Sequence, residues 1–126
     1  MDKFQAAFET LYCLSTADGQ APQEVTVIQD FLTKSYGKIA FDPNQVVATI
    51  NGMTPQGIAD EFAHSVTVFK NLSSAQDRVN LLDFALNTIV ADGTISPAEE
   101  HLFYILGNTW NIDIKKYLEN RVIVPA

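Results

Sequence analysis

The chain has 126 residues, a formal net charge of −7 and 47% apolar residues, which fits one compact domain of ordinary size. Its 15 acidic residues outnumber its 8 basic residues, and no basic stripe suited to a phosphate backbone is present, so nucleic acid is not an expected partner. The one cysteine, Cys13, leaves no intramolecular disulfide. Because the first residues lack a secretory pattern and no apolar run approaches the ~20 residues of a membrane span, we expect a soluble cytoplasmic protein without direct membrane insertion.

Apolar residues recur at helical spacing along most of the chain, which predicts a single all-α domain over residues 1–126 with about seven helices. The first helix, over residues 3–16, is predicted to be amphipathic, with one apolar face: Phe4, Ala7, Phe8, Leu11 and Leu14. Proline at or near the first helical position marks the beginning of four helices: Pro22, Pro43, Pro55 and Pro97. Asp42, Thr54 and Ser96 are the predicted N-caps before the last three of these prolines.

The fifth predicted helix carries the most apolar residues of the set, so we expect it at the centre of the domain. Two alternative capping boxes stand at its beginning, Ser73 with Gln76 and Ser74 with Asp77. The seventh and last helix is predicted to begin at Asp113.

One local pattern occurs twice in the chain. Ala17-Asp18-Gly19, a proline and Glu24 recur as Ala91-Asp92-Gly93, a proline and Glu99, each time between two predicted helices. When Glu24 is aligned on Glu99, the apolar positions of the helices that follow also coincide. The first copy is one residue shorter between the aspartate and the glutamate.

In these features the chain resembles the TerB-like family of small all-α domains, named for a bacterial tellurite-resistance protein. The hallmark of that family is two helical hairpins, each with an Ala-Asp-Gly turn and a glutamate that opens the next helix. Residues 91–99 fit this pattern closely, and residues 17–24 fit it with one residue missing. The resemblance in helix order extends from Phe4 to Leu118. It implies a tellurite-resistance or stress-response module that works near membrane-associated assemblies.

Four carboxylates of the duplicated pattern form the candidate metal site: Asp18, Glu24, Asp92 and Glu99. If the two hairpins pack about a pseudo-twofold axis, these groups lie side by side, and their oxygens suit a hard divalent cation such as calcium or magnesium. The resemblance implies the same use, because the family is thought to hold a metal or cofactor at this acidic region. The alternative is structural: Glu99 forms a capping box with Ser96, and each aspartate bonds the backbone of its own turn.

Two other motifs are weaker. Residues 92–99 match the second half of an EF-hand loop, but the first and third ligand positions would fall on Thr88 and Val90, which do not supply the required charge. Glu61 and His64 have the Glu-x-x-His spacing of di-iron helical bundles, which need a second copy of the motif that this chain lacks. We expect neither site to be functional.

The sequence therefore predicts a non-enzymatic module that works by binding. Its acidic face would engage a divalent cation, a protein partner, or both, and the sequence offers no candidate catalytic residues, organic cofactor site, nucleophile elbow or phosphate-binding loop. Two alternatives stay open. One is a structural or dimerising helical domain without a metal, and the other is a metal-dependent hydrolase at the same four carboxylates, with His101 as the one nearby base. The oligomeric state is open as well.

Overall fold

The computed structural model of the chain describes residues 2–17, 22–37, 41–88, 96–114 and 116, the side chains of residues 22–24 and 88 excepted. These residues form six helices: α1 Lys3–Ser15, α2 Pro22–Tyr36, α3 Pro43–Asn51, α4 Pro55–Leu72, α5 Ala75–Thr88 and α6 Pro97–Trp110. The predicted all-α class is therefore confirmed. Among the described helices, none combines the length and the apolar character needed to cross a bilayer.

The predicted seventh helix is only partly covered by the described residues. Ile114 and Lys116 are helical, and the backbone N–H of Lys116 donates to Oδ1 of Asp113 at 3.2 Å, which is the contact expected when an aspartate caps a helix. Tyr117 and Leu118, which the sequence assigns to this helix, lie outside the described residues.

The first helix lies at the centre of the described fold. Every residue of α1 except Lys3 and Gln5 is buried, and α1 packs against α2 and α4 and contacts α3, α5 and α6 as well. The expectation that α5 is central is therefore wrong. The predicted apolar face of α1 is buried as expected, but the rest of the helix is buried too, because neighbouring helices surround it.

Polar residues can be buried in α1 because the helix satisfies most of them itself. The hydroxyl of Thr10 donates to the carbonyl oxygen of Ala6 at 2.8 Å. The hydroxyl of Ser15 donates to the backbone carbonyl oxygen of Tyr12, also at 2.8 Å. Hydrogen bonds of this kind, directed back to the preceding turn, remove the cost of leaving a buried donor without a partner.

Aromatic contacts and one ion pair join α1 and α2 to the surrounding segments. The rings of Phe4 and Phe8 contact Phe41 edge to face, with centroids 5.6 and 5.5 Å apart. Phe31 of α2 stacks on Phe84 of α5, with ring centroids 4.0 Å apart. Such arrangements add to the hydrophobic burial of the rings. Nζ of Lys3 lies 3.4 Å from Oδ2 of Asp77 at the beginning of α5.

Helix α6 is fixed to α4 by a buried tryptophan. Trp110 is buried, its indole Nε1 donates to the carbonyl oxygen of Val66 at 2.8 Å, and its ring lies 5.5 Å from that of Phe69. The hydrogen bond satisfies the indole N–H inside the core, so Trp110 is a packing residue of the fold.

Helices α3, α4 and α5 begin where the sequence predicts. Oδ1 of Asp42 accepts from the N–H of Asn44 at 3.0 Å, and Oγ1 of Thr54 accepts from the N–H of Gly57 at 3.1 Å. Of the two alternatives before α5, the structure contains the box of Ser74 and Asp77. Its two hydrogen bonds run from the N–H of Asp77 to the Ser74 hydroxyl at 3.1 Å and from the N–H of Ser74 to the Asp77 carboxylate at 3.2 Å.

Replacement of Gly107 tests the packing at the end of α6. The left-handed turn at Asn111, with φ 58°, folds the chain back, so a Cβ on Gly107 would overlap the side chain of Ile114 and lie 2.9 Å from the carbonyl oxygen of Ile112. We expect Gly107→Ala to lower the free energy of unfolding by about 1–3 kcal/mol through overpacking, despite the higher helix propensity of alanine. Urea denaturation measures this loss.

Gly52→Ala is the matched control. A Cβ on Gly52 would meet only the carbonyl oxygens of Ala48 and Thr49, at 3.5 and 3.6 Å, and its φ of −85° suits alanine. We expect this variant to be unchanged within about 0.5 kcal/mol or slightly stabilised. Equal stabilities of the two variants would contradict the packing of Ile114 on Gly107.

Candidate functional site

Of the four carboxylates predicted to form a metal site, the structure describes the side chain of one. Asp18 and Asp92 lie outside the described residues, and Glu24 belongs to α2 but its side chain is not described. The meeting of the four groups therefore stays a prediction. The described residues themselves contain no group of three or more histidines, cysteines, aspartates and glutamates arranged to hold a metal ion.

Of the four predicted ligands, Glu99 is the one whose side chain is described, and it caps α6. The N–H of Ser96 donates to Oε1 of Glu99 at 3.0 Å, and the N–H of Glu99 donates to the hydroxyl of Ser96 at 3.1 Å. Glu99 is 6% exposed. The capping box expected from the sequence is confirmed, and it fixes the position of this carboxylate at the first turn of the helix.

A different pair of carboxyl groups lines a cleft that we call the α1–α3–α4 cleft. It has a volume of about 320 Å³ and lies between α1, α3 and α4. Its apolar wall consists of Phe41, Val46, Ile50 and Met53. Glu9 from α1 and Glu61 from α4 also line it. The cleft therefore combines an apolar wall with two carboxyl groups from different helices.

Glu9 is buried and hydrogen-bonded on both sides. It is 3% exposed, its Oε2 accepts a hydrogen bond from Nε2 of Gln5 at 3.1 Å, and its carboxyl group shares a second hydrogen bond with that of Glu61. Two carboxyl groups can hydrogen-bond to each other only if one of them carries a proton. The Glu9–Glu61 pair is therefore a proton-sharing pair.

Burial is the main reason that this proton is retained. It raises the pKa of Glu9 from 4.5 to about 8, and the hydrogen bond and the negative charge of Glu61 act in the same direction. The hydrogen bond from Gln5 and the positive charge of the chain's amino terminus act in the opposite direction. At neutral pH the carboxyl group of Glu9 accordingly keeps its proton.

The same two carboxyl groups also interact electrostatically with the thiol of Cys13. Burial raises the pKa of Cys13 to about 12, and the negative charges of Glu9 and Glu61 add to this effect. The thiol is fully buried. Since the thiolate is the reactive form of cysteine, Cys13 is an inert core residue, as its position in an apolar helix predicts.

A second cleft lacks this chemistry. It has a volume of about 380 Å³, and its lining includes Tyr12, Gln29 and Asn51. The hydroxyl of Tyr12 donates to Oδ1 of Asn51 at 2.7 Å across α1 and α3. None of the described residues that line this cleft is acidic or basic, so of the two clefts only the α1–α3–α4 cleft has charged groups among its described lining residues.

Glu9 is not among the site residues predicted from the sequence, although the sequence contains a signal for it. Glu9 is the one acidic residue between residues 3 and 16, in a helix too apolar to have a full solvent face. Glu61 was noted only for its spacing from His64. In the structure, Glu61 lines the same cleft as Glu9, whereas His64 is exposed.

Comparison with known proteins gives one finding. Residues 5–117 match the family model described as Tellurite resistance protein TerB. The matched segment includes both copies of the Ala-Asp-Gly pattern and both members of the Glu9–Glu61 pair. The comparison with curated proteins and the comparison with solved structures gave no match.

Replacement of Glu9 changes how stability depends on pH. Its folded pKa of about 8 lies above the ordinary value of 4.5, so between these values the folded state keeps a proton that the unfolded state loses. The stabilising contribution of Glu9 to the free energy of unfolding is fully present below about pH 4.5 and is lost as the pH rises through about 8. We expect the free energy of unfolding of Glu9→Gln, which mimics the protonated form, to lack this decline. Urea denaturation across this range measures both profiles.

The difference between the wild type and Glu9→Gln should change by more than about 1 kcal/mol across this range, because one unit of pKa shift corresponds to ~1.4 kcal/mol. Asp30→Asn is the matched control, since Asp30 is exposed on α2, and its profile should run parallel to that of the wild type. Parallel profiles of the wild type and Glu9→Gln would show that Glu9 does not hold the proton.

Ser96→Ala tests the capping role of Glu99. Loss of the serine hydroxyl leaves the N–H of Glu99 without its acceptor, and we expect the free energy of unfolding to fall by about 0.5–2 kcal/mol. Ser35→Ala, at an exposed position within α2, should cause no such loss. If thermal and urea denaturation find the two variants equally stable, the box does not stabilise α6.

Proposed function

Because the chain belongs to the family of the tellurite resistance protein TerB, we propose that it is a non-enzymatic, tellurite-resistance-type stress-response module that acts by binding in the cytoplasm. The match over residues 5–117 is the observation that carries this proposal. We further propose that its acidic face binds a divalent cation, calcium or magnesium, together with a protein partner that belongs to a membrane-associated assembly.

The proposed cation ligands are the four carboxylates of the duplicated pattern: Asp18, Glu24, Asp92 and Glu99. Oxygen donors of this kind match the preference of hard divalent cations, which complete their coordination with backbone carbonyls and water. The capping box engages Oε1 of Glu99, so the proposal assigns Oε2 to the cation. The net charge of −7 supports cation binding in general.

In the proposed mechanism, cation occupancy controls docking of the partner. Without a cation, four carboxylates on two hairpins form a negative patch that attracts basic groups and repels acidic ones. A bound divalent cation would neutralise part of this charge and would become the largest local charge at the patch. The same surface would thereby present two different electrostatic fields to a partner.

Calorimetric titration of the full chain with calcium, magnesium, manganese and zinc ions tests the proposed site. We expect saturable binding of at least one of them, which is lost in the double variant Asp18→Ala/Asp92→Ala. We also expect the bound cation to stabilise the wild type by ~2.7 kcal/mol when its free concentration is about 100 times the dissociation constant. The melting temperature of the double variant should not respond to the cation.

The double variant Asp30→Ala/Asp60→Ala is the matched control, because it removes the same number of negative charges at exposed positions of α2 and α4. It should bind the cation as the wild type does. Heat of dilution alone, with a melting temperature that does not change, would overturn the cation site and favour the structural or dimerising domain.

A further inference from the structure

The α1–α3–α4 cleft changes character from its rim to its interior. Asp42 and Thr49 are exposed at its rim, and Val46 is half-buried. Ile50 is 1% exposed and Glu9 is 3% exposed. A group that enters from solvent would thus pass an acidic rim, lie against an apolar wall and end at the buried Glu9 and the half-buried Glu61.

The described chemistry of the cleft favours an organic cation over a metal ion or an anion. Hard divalent cations need about 6–8 oxygen ligands, whereas the described residues provide no group of three or more acidic, histidine or cysteine side chains arranged for a metal. The apolar wall includes Val46 and Ile50, whose side chains contain no atom that could bind a metal ion. An anion would be repelled by the pair and by Asp42.

A lysine or arginine side chain fits both parts of the cleft. Its alkyl stem can cover apolar surface while its charged head bonds to a carboxylate. The volume of about 320 Å³ is at the lower limit of small-ligand pockets, which suits one long side chain rather than a larger molecule. The net charge of −7 favours the approach of a basic partner.

We propose that the α1–α3–α4 cleft binds a lysine or arginine side chain of a partner protein, with its stem against Val46 and Ile50 and its charged head on the Glu9–Glu61 pair. The partner is the one invoked in the proposed function, and this inference rests on that function to that extent. The two carboxyl groups of this site are not among the four carboxylates proposed to hold a cation.

Binding of the cationic head is coupled to release of the shared proton to solvent. The incoming positive charge favours the ionised form of both carboxyl groups and so displaces the proton between them. Of the other titratable groups, Asp42 at the N-cap of α3 lines the same cleft, the thiol of Cys13 on α1 interacts electrostatically with both carboxyl groups, and the charge of the amino terminus acts on Glu9. The burial of Cys13 raises its pKa to about 12 and keeps the thiol neutral.

The proton release predicts how affinity depends on pH. If only the ionised form binds the cation, the apparent dissociation constant equals the intrinsic constant divided by the fraction of molecules that have lost the proton. The affinity should therefore rise by up to about tenfold per pH unit and level off above about pH 8, the pKa of Glu9. A surface charge that does not share a proton would give no such slope.

The experiment is an NMR titration of the full chain with two probes, Nα-acetyl-lysine methylamide and Nα-acetyl-arginine methylamide, at about pH 6 and about pH 8.5. Nα-acetyl-norleucine methylamide is the neutral matched probe. We expect saturable shift changes at Val46, Ile50 and Glu61 with at least one cationic probe, an affinity at least about tenfold higher at the higher pH, and binding of the neutral probe at least about tenfold weaker.

Variants then assign the effect to the pair. Glu9→Gln should weaken binding of the cationic probe by about tenfold or more at the higher pH and remove the pH dependence. Asp30→Asn, at an exposed position of α2, should bind as the wild type does. If Glu9→Gln does not fold, the pH dependence of the wild type alone decides the question.

Three outcomes would overturn the proposal: equal binding of the neutral probe, an affinity independent of pH, or shift changes confined to other surfaces. The double variant Asp18→Ala/Asp92→Ala separates this proposal from the proposed function. It should lose the divalent cation and keep the pH-dependent binding of the probe. A probe that the double variant no longer binds would place the basic side chain at the four carboxylates instead of the cleft.

Discussion

The burial of all of α1 except Lys3 and Gln5 is the constraint on which the rest of the described fold depends. Such a helix can contain an acidic residue only if the charge is removed or neutralised, because an isolated buried carboxylate is strongly disfavoured. The chain solves this at Glu9 by sharing a proton with Glu61. The carboxylate of Asp77 in α5 is instead neutralised by an ion pair with Lys3 of α1. These two side chains remain 27% and 35% exposed, so water still contributes to their solvation.

The two kinds of acidic position in this protein have different physical roles. Glu99 accepts a hydrogen bond from the backbone N–H of Ser96 at the beginning of α6, where the positive end of the helix dipole stabilises a carboxylate. Glu9 is buried beside the carboxyl group of Glu61 and keeps a proton. Membership of the TerB family directs attention to the first kind, the duplicated turns. The second kind gives the protein a site whose charge changes near physiological pH and which therefore couples binding to protonation.

The sequence predicted those parts of the fold that depend on neighbouring residues. The caps at Asp42, Thr54 and Ser96 are local, so the beginnings of α3, α4 and α6 could be read directly. The central position of α1 could not, because helical periodicity identifies an apolar face but does not reveal how many helices will cover the other sides. For the same reason the pairing of Glu9 with Glu61 was missed, since it is created by the packing of α1 on α4.

The most direct test of the shared proton is to follow the side-chain carboxyl carbon of Glu9 by ¹³C NMR as a function of pH in the folded protein. The account predicts that its main titration step is centred near pH 8, the raised pKa of this group. A single step near the ordinary value of 4.5, with no further change of the Glu9 signal at higher pH, would show that the carboxyl group is ionised at neutral pH. That result would contradict the proton-sharing pair.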